Sequence, residues 1–248
     1  MKLTSRDNPK VKRWASLVRD AKLRNKERRL LVEGPHLVAA ALRAGLQPHA
    51  LLVSERGQRN REIASLIAGA NPIVLSDRVF AAIVDAETPQ GIAAEIDLPK
   101  VREAKGTTLF LEKVQDPGNV GTILRSAAAF GATSVVLDQH CADPWSPKTL
   151  RAGMGAQFSL QIQSVPSLES ELERFAGRIL CTVSRGGEAL RDVELSGRVG
   201  WLFGSEGQGV SEAAARHADV RVTIPVATGT ESLNVAAAAA ICLYVTRG

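Results

Sequence analysis

The feature that most constrains this 248-residue chain is the stretch Thr107–Gly131, TTLFLEKVQDPGNVGTILRSAAAFG. The apolar run Leu109-Phe110-Leu111 has the length and composition of a buried strand. Asp116-Pro117-Gly118-Asn119 follows, a turn cluster whose last residue is a good helix N-cap. From Val120 to Phe130, residues Val120, Ile123, Leu124, Ala127 and Ala128 recur at helical spacing, and Gly131 supplies the stop. Strand, tight loop and helix form the unit of an open α/β sheet, and such sheets hold ligands at the carboxyl ends of their strands. Arg125 sits well inside this otherwise apolar helix. Arginine in apolar surroundings calls for an anionic partner, so the loop and Arg125 together suggest a place for a phosphate or a carboxylate. A capped helix whose arginine snorkels to solvent is the plainer alternative.

The charge distribution narrows the class of ligand. Residues 1–29 hold eleven Lys or Arg against three Asp or Glu, a balance of +8, while the rest of the chain carries −3. A basic arm on an otherwise acidic chain suits a polyanion, most simply nucleic acid, although a solvated helix face has the same composition. Aromatic content of 4% does not advertise a base-stacking platform. Cys141, Cys181 and Cys242 are odd in number, far apart and without histidine at ligand spacing. That argues against a disulfide framework and against zinc, and fits a reducing cytoplasm. The N-terminus is charged from Lys2 and has no apolar core of a signal peptide. The longest apolar run, Val235 to Val245, is too short to span a bilayer.

Taken in order, Ser5–Lys26 reads as a basic helix with a thin apolar stripe of Val11, Trp14, Leu17 and Val18. Strands are expected at 30–32, 50–53, 73–75 and 91–96, with helices at 36–44, 59–68 and 77–84 between them. The alternation predicts a small three-layer α/β domain. His36 and His49 stand alone and read as surface or capping residues. Residues 98–106, LPKVREAKG, form a polar linker. Beyond it come strands at 109–111, 134–137, 179–183, 200–203 and 220–226. The expected helices are 120–130, 148–152, 168–175, 211–217 and 232–245.

Two further strand-to-helix loops resemble the first in placement. Residues 203–209, FGSEGQG, carry three glycines that permit close approach of backbone to a ligand. Their GxxGxG spacing matches neither a dinucleotide fingerprint nor a P-loop. Glu206 there would repel a phosphate and suits a cationic or hydroxyl-bearing ligand, unless it is only a solvated turn residue. Residues 224–234, IPVATGTESLN, end a strand and start a helix at Ser232, where Ser232 is either a site residue or only an N-cap and Asn234 either a site residue or only a first-turn residue. Three such loops in one region point to one composite site.

NVGTILRSAAAFGA, LFGSEGQGVS and IPVATGTESLNVAAAAAICLY, in that order and separation, resemble the three motifs of the SpoU (TrmH-type) branch of the SPOUT RNA methyltransferases. RRLLVEGPHLVAAAL and TPQGIAAEI are similar to the substrate-binding domain that precedes many members. Charge and periodicity give a basic helical arm at 1–29, and the resemblance implies an RNA substrate-binding α/β domain at 30–98 and a SpoU methyltransferase domain at 107–248. The fold class implied is α/β, with a parallel-sheet C-terminal domain tied in a trefoil knot, which general fold rules would disfavour. The activity implied is transfer of methyl from S-adenosyl-L-methionine to an RNA ribose 2′-hydroxyl, in rRNA more than in tRNA. An inactive RNA-binding relative is the other alternative. The resemblance also implies a homodimer with site parts from both subunits, and the residues themselves signal no metal and no membrane.

Carried over by position, the resemblance places Asn119 and Arg125 at the reacting ribose and its phosphate, with Glu206, Ser232 and Asn234 as further catalytic residues. Val183, Ser184, Gly204, Ile224 and Leu233 would cradle the cofactor. Arg is effectively always protonated, so Arg125 is expected to bind phosphate and stabilise the developing alkoxide rather than act as base.

Overall fold

In the computed structural model, which describes residues 2–103, 105–229 and 231–246, the chain builds two sheets and divides into two compact units. Met1–Pro99 with Trp145–Phe158 make the first, and Lys100–Pro144 with Ser159–Gly248 the second. The segment 145–158, read from sequence as part of the C-terminal region, belongs to the first unit because Leu150 is buried there and Trp145 and Phe158 pack on the same apolar cluster.

The first unit runs β1 (Lys2–Leu3), α1 (Pro9–Arg19), α2 (Ala21–Glu27), β2 (Arg29–Glu33), α3 (Pro35–Arg43), β3 (Ala50–Ser54), α4 (Arg61–Leu66), β4 (Ile73–Leu75), α5 (Asp77–Ile83) and β5 (Ile92–Asp97). The sheet order is β1-β4-β3-β5-β2, with β5 antiparallel to both neighbours and the other pairs parallel. Apolar clusters lie on α1 with α5 and on α3 with α4, which gives the three layers expected. The single helix expected over Ser5–Lys26 is two. Asp20 is extended, at φ −115° and ψ 106°, and its carboxylate accepts the N–H groups of Lys22 and Leu23, so it ends α1 and caps α2. The helix expected from Arg59 starts at Arg61 because Asn60 caps it. Residues 1–29 do not hang free: Val11, Trp14, Leu17 and Val18 are buried, and Lys2–Leu3 pairs with Val74–Leu75. Buried Glu95 fastens α1 to β5, accepting from the Trp14 indole and from Arg13, each at 2.8 Å.

The second unit holds β6 (Thr108–Leu111), α6 (Pro117–Ala129), β7 (Ser134–Asp138), β8 (Gln161–Val165), α8 (Glu169–Arg174), β9 (Arg178–Thr182), β10 (Glu188–Ala189), β11 (Val199–Phe203), α9 (Glu212–Ala215), β12 (Val220–Thr223) and α10 (Val235–Thr246), while α7 (Pro147–Gly153) goes with the first unit. Its seven strands are all parallel, in the order β10-β12-β9-β11-β6-β7-β8. β6 and β11 are buried along their whole length, as central strands of a covered sheet must be. From β6 the chain moves outward through β7 and β8, and from β11 it moves the other way to β12. The order therefore switches direction between β6 and β11, where an open parallel sheet leaves a crevice. β8 and β10, not anticipated from sequence, are the two edge strands.

Candidate active site

The three chemistry-bearing loops follow β6, β11 and β12, whose carboxyl ends lie on one side of the parallel sheet. α6 begins earlier than the sequence suggests, at Pro117. Asp116, rather than Asn119, is its N-cap, and its carboxylate accepts the Asn119 N–H at 2.8 Å. This frees the Asn119 side chain for other work. α10 begins at Val235, not Ser232, and Asn234 caps it by accepting the Ala236 and Ala237 N–H groups at 2.9 and 3.3 Å. Thr230 of this third loop lies outside the described residues.

Those two backbone donors fix the sense of a hydrogen-bond chain. They claim the Asn234 carbonyl oxygen, so its amide nitrogen points outward and donates to Asn119 Oδ1 at 3.0 Å. The Asn119 amide nitrogen then donates to Glu206 Oε1. One amide-to-amide-to-carboxylate relay thus joins all three loops. Asn119 is half-buried and Glu206 and Asn234 are exposed, so the relay faces solvent.

Beside it lies a cavity of about 450 Å³ within the second unit. Val183, Ser184, Gly204, Ile224 and Leu233, the residues expected to cradle a cofactor, all line it, together with Glu206 and Ser232. Gly204 is there of necessity, since a Cβ on it would stand 2.0 Å from the Gly209 carbonyl carbon. Among the described residues the lining contains two carboxylates, Glu206 and Glu231, and no lysine or arginine. Glu231, Gln208 and Thr182 went unselected from sequence. Glu231 sits beside Ser232 inside the third motif, and that proximity was the available signal.

Arg125 follows the plainer of its two sequence readings, with its side chain turned to solvent. It is exposed on α6, in line with exposed Gly118, Thr122 and Ala129, and it neither lines the cavity nor joins the relay. The helix turns it outward because Val120, Ile123, Leu124 and Ala127 claim the buried face. Among the described residues no group of three or more His, Cys, Asp or Glu could hold a metal ion. Burial pushes the Cys141 and Cys242 thiols up to about 12 and that of Cys181 up to about 11, so none offers a thiolate at neutral pH.

Fold and site together define an open α/β protein with a small-molecule cavity at the carboxyl ends of β9, β11 and β12 of a parallel sheet. A family model described as the SpoU rRNA Methylase family matches residues 106–244, and one described as an MRM3-like substrate binding domain matches residues 8–94. The Bacillus subtilis 23S rRNA (guanosine(2553)-2′-O)-methyltransferase RlmP is 35% identical over 99% of this chain and 99% of its own length. The Streptomyces viridochromogenes 23S rRNA (uridine(2479)-2′-O)-methyltransferase is 30% identical over 98% of this chain and 90% of its own. An AdoMet-bound rRNA methyltransferase from Sinorhizobium meliloti superposes with a TM-score of 0.83 at 30% identity, covering 100% of this chain and 97% of that one. The chain belongs to the SpoU rRNA methylase family.

Proposed function

We infer that this protein is an S-adenosyl-L-methionine-dependent RNA methyltransferase that modifies a ribose 2′-hydroxyl in ribosomal RNA. The observation that carries the reading is the Asn234–Asn119–Glu206 relay at the rim of the cavity, which draws three separate motifs into one site. Relatives of full length that act on 23S rRNA favour a ribosomal substrate over tRNA.

The cavity suits the cofactor. Its volume is of the size that small-molecule sites have, and the carboxylates of Glu206 and Glu231 in its lining match a ligand bearing a sulfonium and an ammonium. Val183, Ser184, Gly204, Ile224 and Leu233 would hold it. When bound, S-adenosyl-L-methionine supplies an electrophilic methyl group. The chain's own part is positioning, which alone removes a large share of the barrier to a bimolecular transfer. Asn119 and Asn234 fix the Glu206 carboxylate, and these three with Ser232 orient the sugar hydroxyl. Arg125 holds the neighbouring phosphate and lends positive charge to the developing alkoxide.

An exposed Arg125 away from the cavity fits a site completed by a second copy. α6 packs on α10, where Phe130 meets Tyr244 edge-on. α10 leaves Ile241, Tyr244 and Val245 exposed, with Tyr244 at 67%. An apolar helix face of this kind suits pairing in a homodimer, with Arg125 of one subunit serving the cavity of the other. A knotted C-terminal path and a cytoplasmic location complete the proposal. No described helix is long and apolar enough to cross a membrane.

Ribose-methylation mapping of rRNA from cells with and without the gene tests the activity. One 2′-O-methyl mark present only with the gene is expected, and unchanged rRNA maps would contradict it.

A further inference from the structure

Glu112 directly follows β6 and is only 9% exposed. Its backbone N–H donates to the carbonyl of Phe203, the last residue of β11, at 2.9 Å. Its side chain reaches Ser211, at the far end of the loop that β11 feeds. Oε2 accepts the Ser211 N–H and Oε1 accepts the Ser211 hydroxyl, each at 2.7 Å. A single residue therefore grips both ends of loop 204–210, which lines the cavity and carries Glu206.

The loop between those grips is drawn shut. Gly209 N–H donates to the Ser205 carbonyl at 2.9 Å and Gln208 N–H to the Ser205 hydroxyl at 3.2 Å. Ser211 also caps α9 through the Ala214 N–H, at 3.2 Å. Capping a one-turn helix needs only the serine. A buried carboxylate is costly unless strongly bonded, and two charge-assisted bonds to one residue give the loop exit a fixed direction. Glu112 also opens the connection that leads to Asn119, so it ties the loop bearing Glu206 to the loop bearing Asn119.

We propose that Glu112 is a positioning residue for methyl transfer, holding loop 204–210 in the shape that receives the methyl donor. The inference rests on the cavity being the donor site. Glu112→Gln keeps the volume but presents one acceptor where two donors converge. It is expected to weaken S-adenosyl-L-methionine binding by about tenfold, as loss of one charge-assisted bond implies. The Gly209 and Gln208 amides should then exchange faster while amides of β2–β5 are unchanged. Ser211→Thr keeps both donors and should stay within about twofold of wild type. Calorimetry at wild-type affinity with Glu112→Gln would overturn the inference. If Glu112→Gln does not fold, Ser211→Ala removes one donor from the same pair, and undiminished affinity in that variant overturns it equally. Leu233→Trp, which fills the cavity, separates the two readings. Donor binding that survives it sinks the donor site and the inference together. Binding lost in Leu233→Trp but intact in Glu112→Gln sinks the inference alone.

Discussion

Arg125 is the residue proposed to grip a substrate phosphate, and within this chain it does not line the cavity. It is exposed on α6, apart from the relay. If it grips a phosphate through its planar fork, lysine cannot replace it. Arg125→Lys is expected to lower turnover by about 10²-fold, with RNA affinity and melting temperature little changed. Near wild-type turnover would remove the bidentate role. Glu95 is one carboxylate whose ionisation couples the first unit's stability to pH. Burial would raise its pKa, but Arg13, the Trp14 indole and Arg29 outweigh that, and it lies below the ordinary 4.5. A depressed carboxylate stabilises the fold above its unfolded value and loses that contribution as pH falls through the folded one. Glu95→Gln should cost about 1–3 kcal/mol at neutral pH, and denaturant titrations should show the gap to wild type narrowing below about pH 4.5. A gap independent of pH would contradict the ion-pair account.

At the scale of elements, the loops matter through how tightly they close. Gly204→Ala would place a methyl 2.0 Å from the Gly209 carbonyl carbon. Loop 204–210 must shift to admit it, at a cost of about 1–3 kcal/mol, and donor affinity is expected to fall by more than tenfold. Unchanged affinity by calorimetry would mean the loop does not shape the site. The same elements explain what was legible beforehand. β6 and β11 are buried on both faces and read as unbroken apolar runs, so both strands and the loops that leave them were visible. β8 is an edge strand, QIQSV, whose polar residues hid it, and two-residue β10 is too short to leave a pattern. Helix starts were misplaced where two capping residues stood close together, Asp116 with Asn119 and Ser232 with Asn234. For Arg125 the sequence left burial against an anion and exposure to solvent both open, and helical periodicity decides for the exposed face.

Across the whole chain, charge is unevenly placed. All of the net positive charge sits in residues 1–29, which are built into the first unit through Val11, Trp14 and Leu17. Deleting them would remove core along with charge, so RNA contact is better tested on exposed side chains. Lys10, Lys22 and Lys26 are exposed. Replacing all three by glutamine should flatten the slope of log affinity for RNA against log salt by about 2, as release of fewer counterions requires. An unchanged slope would place the RNA elsewhere. The central claim is that three distant loops form one site for methyl transfer to a ribose oxygen. Its most direct measurement is methyl transfer from labelled S-adenosyl-L-methionine to rRNA from a strain lacking the gene, comparing wild type with Asn119→Ala. The account predicts a single 2′-O-methylated ribose with wild type and a rate lowered about 10²-fold or more once the relay is cut. Methyl appearing on a base, or Asn119→Ala turning over at the wild-type rate, would contradict it.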